Sequence, residues 1–246
     1  QFTKPRWNGE QLDGQKVLVY DEQGFGDAIQ FVRFLNLVEV RGGRVILETT
    51  PTLFDLFQQL NRLPVVETVI QKNTPPTDLN TLNYNCYTSL ISLPYLFGLE
   101  LEGIPAPTSY LEVPTGKTVE GITGSGCRIG LVWAGSRTHR NDKNRSIDLR
   151  QFEPLLSRSD CSFYSLQVGR ESDQQRQVFG QHQVIDLSPQ LTDFALTAAA
   201  IQQLDLVVTV DTSVAHLAGA LGKIVWTLLP YVPDWRWLLD RDDSPW

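Results

Sequence analysis

Apolar residues along the chain fall in short continuous runs separated by segments of helical period, the pattern of strands buried on both faces between helices. "KVLVY" at 16–20 reads as the first such strand. Ala28, Phe31, Val32 and Leu35 then recur at i, i+3, i+4 and i+7, which predicts a helix laid on that strand and ended by "RGG" at 41–43. "RVILET" at 44–49 predicts a second strand, Pro51 opens a helix over "PTLFDLFQQL", and "VETVI" is a third strand, giving βαβαβ. Residues 71–88 are rich in Asn, Thr and Pro and read as a long loop, after which "SLISLPYLFGL" resumes a helical pattern interrupted at Pro94.

Periodicity is lost around "EVPTGKTVEGITGSG", 112–126, where Gly, Thr and Ser accumulate. A linker at 114–126 is therefore expected to divide an N-terminal domain, 1–113, from a C-terminal domain, 127–246. The pattern restarts with strands "RIGLVWA", "SFYSLQV", "VIDL", "LDLVVTV" and "KIVWTLL" and helices from Gln151, near Asp173 to Phe179, from Asp193 and from Ser213. The expected fold class is α/β with two Rossmann-like domains, alike in architecture and not in sequence, because no short repeat is present.

The 246 residues, 41% of them hydrophobic, suffice for a sizeable core. A formal charge of −7 disfavours nucleic acid as the main ligand. Cys86, Cys127 and Cys161 are odd in number and widely spaced, fitting neither a disulfide framework nor a zinc knuckle; they read as reduced thiols in a cytoplasmic protein. No apolar run approaches the roughly 20 residues of a membrane span, and "QFTKPRWNGE" lacks a signal-peptide core. Gln1 and the closing "DRDDSPW" lead to the expectation that both ends are cut points in a longer protein.

Three constellations carry candidate chemistry. In "EQGFGDAIQFVRFL", 22–35, Gly24 and Gly26 supply permissive backbone between a strand and a helix, suited to an anion or a closely approaching ligand. A dinucleotide fingerprint is half met: Ile29 stands where a third glycine belongs, while Glu48 mimics the ribose-binding acid. Asp27 would repel a pyrophosphate there and suits a general base; equally, it can cap the helix. In "WAGSRTHRNDKNRSIDLR", 133–150, Gly135 and Ser136 follow a strand and precede Arg137, Arg140, Lys143 and Arg145, a cationic cluster able to hold a diphosphate or simply a solvated loop. In "LDLVVTVDTSVAHLAGALG", 204–222, a buried strand ends at Asp211, Thr212 and Ser213 can cap the next helix, and His216 lies off that helix's buried stripe, as a ligand contact or a structural histidine.

Together with "RGGRVILE", "LISLPYLFG", "FYSLQVG" and "LLPYVPDWRWLLDRDDSPW", these segments resemble the sugar-nucleotide glycosyltransferases of the GT-B fold. The family is that of the ADP-heptose:lipopolysaccharide heptosyltransferases (family 9), and in particular the catalytic regions that follow tetratricopeptide repeats in many bacterial proteins. The resemblance implies two Rossmann-like domains facing across a cleft, truncated here before the helix that crosses back. It also implies an inverting, metal-independent transfer from a nucleotide-diphosphate sugar, without a cofactor, to a glycan, lipopolysaccharide or protein acceptor. On it, Asp27 is the candidate base beside the acceptor-side turn Gly24 and Gly26, and Asp211, Thr212, Ser213 and His216 match the Asp-[Thr/Ser]-x-x-x-His donor motif. Ser136, Lys143 and Arg145 would offset the leaving group's charge, and Gln167 would meet the nucleotide's ribose or base. A non-catalytic sugar-nucleotide-binding or interaction module of a repeat protein is the alternative.

Overall fold

A computed structural model of the chain describes residues 2–72, 82–105, 109–124, 126–169 and 172–246. The chain divides into two compact units, Gln1–Pro107 and Thr108–Ser244.

The first unit is built on a four-stranded parallel sheet in the order β3-β2-β1-β4, from β1 (Lys16–Tyr20), β2 (Arg44–Thr49), β3 (Val66–Gln71) and β4 (Cys86–Ser89). β1 is central, which is why Val17, Leu18 and Val19 in succession are fully buried. β4 begins inside the stretch expected to be a loop and ends one residue beyond it; residues 73–81 of that stretch lie outside the described residues. The segment expected to be one helix after β1 is broken into α1 (Phe25–Phe31), a 3-10 turn over Val32–Phe34 and α2 (Asn36–Val40). All five residues from Phe31 to Leu35 are buried, more than one stripe of a regular α-helix can turn inward. α3 (Pro51–Phe57) starts at its proline as expected, and Pro94 likewise helps to open the short α4 (Leu93–Leu96) where an interruption was expected.

The second unit holds a five-stranded parallel sheet in the order β7-β6-β5-β8-β9. Its strands are β5 (Cys127–Val132), β6 (Cys161–Ser165), β7 (Ile185–Asp186), β8 (Leu206–Val210) and β9 (Val225–Leu228). The helices are α5 (Asp142–Arg145), α6 (Glu153–Leu156), α7 (Asp173–His182), α8 (Phe194–Gln202) and α9 (Ser213–Ala220). Asp193 caps α8, its side chain accepting from the Leu196 N–H at 2.7 Å. Cys127 and Cys161, distant in sequence, are register partners on β5 and β6 and carry free thiols.

Residues 114–126, read from the sequence as a linker, belong mostly to a segment bonded to the second unit; Ser125 is outside the described residues. The Tyr110 and Leu111 N–H groups donate to Ala220 O at 3.0 and 3.1 Å, and Lys117 pairs with Asp193 at 3.1 Å. The Gln203 side chain donates to Val119 O at 3.0 Å, and the Gly124 N–H to the Tyr164 hydroxyl at 2.8 Å. Pro and Gly punctuate this stretch, so its lack of periodicity reflects an irregular strap whose anchors are scattered polar bonds. Among the described residues no helix is long and apolar enough to cross a membrane.

Candidate functional site

In each sheet the chain leaves a central strand in both directions: β1 lies between β2 and β4, and β5 between β6 and β8. Such reversals leave a crevice at the carboxyl ends of the strands, where open α/β sheets take their ligands. The three constellations read from the sequence follow β1, β5 and β5's neighbour β8.

In the first unit the chain leaves β1 through Asp21, which is 4% exposed. Its carboxylate accepts from the Thr49 hydroxyl at 2.7 Å and the Thr50 N–H at 2.9 Å, and pairs with Lys72. Glu48 is buried beside them; burial pushes its carboxyl up, Lys72 pulls it down and Asp21 pushes it up again. Glu48 thus belongs to a buried acid cluster stitched across the ends of β1 and β2. Gly24 is the N-cap of α1 at φ −67° and ψ 163°, backbone that any residue adopts. The expected need for glycine's conformational freedom at Gly24 is therefore not met in φ. Gly26 lies within the first turn of α1. Asp27 is half-buried, and its Oδ2 accepts from the Gly24 N–H at 3.0 Å. The capping role weighed for Asp27 is present, and it occupies a donor that a phosphate at this turn would require.

In the second unit the basic loop and the start of α9 converge. The Gly135 N–H donates to the Ser146 hydroxyl at 3.0 Å, and that hydroxyl donates to Asp142 Oδ1 at 2.8 Å. Arg145, on the same short helix, lies 3.9 Å from Asp142 and donates from Nη1 to the Asp211 carbonyl at 2.9 Å. Its guanidinium rests directly on Gly135: a Cβ there would fall 2.4 Å from Nη2, so only glycine admits it. Arg145 therefore ties the loop after β5 to the end of β8.

At the end of β8 the Thr209 hydroxyl donates to Val210 O at 2.8 Å and lies 3.0 Å from the Thr212 hydroxyl. With the Thr209 proton so committed, Thr212 must donate to Thr209 and turn its lone pairs outward, where one accepts the Val214 N–H at 3.3 Å. Thr212 is thus the N-cap of α9, and Ser213 is the first helical residue. Asp211 is half-buried, and burial pushes its carboxyl up, while the Trp237 side chain and Arg145 pull it down. Asp234 raises it and Arg236 lowers it by smaller amounts. His216, one turn into α9, stacks on Trp237 with ring centroids 5.4 Å apart and planes at 17°.

Arg145, Asp211, Thr212, Ser213 and His216 are thus brought together. Ser136 is exposed on the loop and Lys143 on α5; the Ser136 hydroxyl lies 2.8 Å from that of Thr138. Gln167 is buried and acts as a brace: its Oε1 accepts from the Trp133 and Ala134 N–H groups at 3.2 and 2.9 Å, and its amide donates to Val168 O at 3.3 Å. Asp234, Arg236 and Trp237 were not singled out by sequence reasoning. Asp234 accepts from the Arg236 N–H at 3.1 Å and from its guanidinium at 2.8 Å. A signal was available in "PDWRW", where an aspartate two residues before an arginine can hold it from both backbone and side chain. Among the described residues no group of three or more His, Cys, Asp or Glu side chains is disposed to hold a metal ion.

No family model matches the chain. Protein FlbA of Caulobacter vibrioides is 24% identical over 252 residues, an alignment covering 93% of this chain and 41% of that protein. The chain thus spans less than half the length of this curated relative. Among solved structures, the glycosyl transferase family 9 protein from Veillonella parvula superposes with a TM-score of 0.57 at 14% identity, covering 91% of this chain and 82% of that one. The iron-containing dodecameric glycosyltransferase TibC from enterotoxigenic Escherichia coli superposes with a TM-score of 0.51 at 10% identity, covering 92% of this chain and 60% of its own. At these identities the likeness is one of fold: mixed α/β with two parallel sheets, shared with glycosyltransferases.

Proposed function

We propose that the chain is a glycosyltransferase region that moves a sugar from a nucleotide-diphosphate donor to an acceptor hydroxyl, inverting the anomeric centre and using no metal. The observation that carries this reading is the convergence of Arg145, Asp211, Thr212, Ser213 and His216 at the ends of β5 and β8. Arg145 is held by the Asp211 carbonyl and flanked by Asp142, so its charge is fixed before a ligand arrives. Because Thr212 spends its proton on Thr209, the donors for a diphosphate oxygen at α9 are the Ser213 N–H and hydroxyl. Asp211, acceptor-only when ionised, suits sugar or ribose hydroxyls.

In the reaction, the acceptor oxygen forms a bond to the anomeric carbon while the bond from that carbon to the diphosphate oxygen breaks. The electron pair leaves with the diphosphate, whose growing charge Arg145 and Lys143 offset. Asp27 takes the acceptor's proton, a contribution of about 10²–10⁴ in rate. The acceptor is a glycan, lipopolysaccharide or protein hydroxyl, and the setting is a cytoplasmic protein with tetratricopeptide repeats upstream.

A second reading has its own support. Asp27 is engaged in capping α1, so the donor site could persist in a protein that binds sugar nucleotides without turnover. Calorimetry with ADP-, UDP- and GDP-sugars followed by donor hydrolysis separates the two. Binding with turnover supports the transferase, binding without turnover the module, and no binding by any of the three removes both.

A further inference from the structure

Trp237 occupies a place that its surroundings do not require of an apolar filler. It is 9% exposed although it sits in an irregular segment, a 3-10 turn over Trp235–Trp237. Asp234 pins that turn from both ends, since its side chain accepts the Arg236 N–H and its carbonyl accepts the Trp237 N–H at 3.1 Å. The residue after it, Leu238, has φ 59° and ψ −177°, backbone that non-glycine residues rarely adopt, so the turn is held in place at some cost in strain. One face of the indole lies on the His216 ring. Its Nε1 is buried without a hydrogen-bond partner. A leucine or phenylalanine would fill this volume without burying an unfinished N–H.

We infer that Trp237 is a positioning residue of the second-unit site, fixing the His216 ring by stacking so that it meets a nucleoside diphosphate in one arrangement. This rests on the reading of that site as the donor pocket. Stacking removes one face of the imidazole from solvent and restricts its rotation.

The test compares Trp237→Phe, which keeps an aromatic ring for the stack, with Trp237→Leu, which loses it. The probes are ADP, UDP and GDP, titrated calorimetrically into the full chain. Trp237→Phe is expected to bind the best-bound diphosphate about as wild type does, and Trp237→Leu to weaken it by roughly threefold to tenfold. The chain has three histidines, so the imidazole proton resonances of His216 are identified by their loss in His216→Gln. They should stay shifted by the aromatic ring in Trp237→Phe and move toward unstacked values in Trp237→Leu, a change that mere core filling would not produce. Wild-type affinity in Trp237→Leu, or His216 resonances indifferent to Trp237→Leu, overturns the inference alone. A wild-type chain that binds none of the three diphosphates overturns the donor-site reading and this inference with it.

Discussion

Replacing Gly135 by alanine probes the join between the basic loop and the end of β8. A Cβ at this position falls 2.4, 2.5 and 2.6 Å from Nη2, Nε and Cζ of Arg145, well inside contact distance, so the guanidinium must move. Arg145 cannot shift freely, since its side chain is 14% exposed and Nη1 is held by the Asp211 carbonyl at 2.9 Å. Losing that charge-assisted bond costs about 1.5–3 kcal/mol. At about 2–4 °C per kcal/mol for a domain of this order of size, the melting temperature should fall by roughly 3–12 °C. The decisive assay is a double-mutant cycle with Arg145→Ala, measured by urea unfolding. Gly135 does not have a positive φ, so alanine fits its backbone. With the guanidinium gone, the substitution should cost nothing or stabilise by about 0.4–1 kcal/mol through the unfolded chain. If Gly135→Ala costs the same in both backgrounds, the contact with Arg145 is not what the glycine serves.

Three further outcomes follow from the geometry. Asp27→Ala should destabilise the first unit by about 0.5–2 kcal/mol through the lost cap, whereas Asp27→Asn keeps an acceptor and costs little. Both should abolish transfer, and turnover surviving in the asparagine variant would remove the base assignment. Burial of Glu48 raises its carboxyl in the folded state, so the folded chain binds more protons than the unfolded one and stability must fall as pH rises from the ordinary carboxylate range. Glu48→Gln should flatten that fall in urea midpoints measured between about pH 4 and pH 8, and an unchanged slope would refute it. The hydrogen bonds from Arg128 push Asp205 down to about 2, so its contribution is present above the unfolded carboxylate value and lost as pH drops toward about 2. Asp205→Asn should soften the acid limb only slightly, and less in high salt, because both partners of the pair are partly solvated. A large, salt-independent change would contradict this.

How much of this was legible in the sequence depended on whether a residue's neighbours lay close along the chain. Central strands such as β1 and β8 announce themselves because both faces are buried and the residues are apolar in succession. The starts of α8 and α9 are legible because Asp193 and Thr212 cap locally. β4 was hidden because its four residues, Cys-Tyr-Thr-Ser, include the buried polar pair Thr88 and Ser89 and show neither an apolar run nor alternation. The helix before "RGG" was seen, but its break was not, since five successive buried residues satisfy an amphipathic template and also exceed it. Arg145 stood out as one cation among four, and only its bond to a carbonyl 66 residues away separates it from exposed Arg137 and Arg140. Gln167 is the reverse case, a polar side chain just past a strand end whose bonds turn inward to the backbone of Trp133 and Ala134. Trp237 carried no periodic signal, because the turn holding it is set by Asp234 and not by any repeating pattern.

The candidate site of the second unit joins Gly135, just after β5, to Trp237, in the turn that follows β9. During synthesis, then, the sheet could be largely paired while the binding centre still lacked its aromatic wall. A nucleotide that needs both would bind only once the segment after β9 has docked, and protection of this unit by such a ligand would report that docking more sensitively than secondary-structure content does.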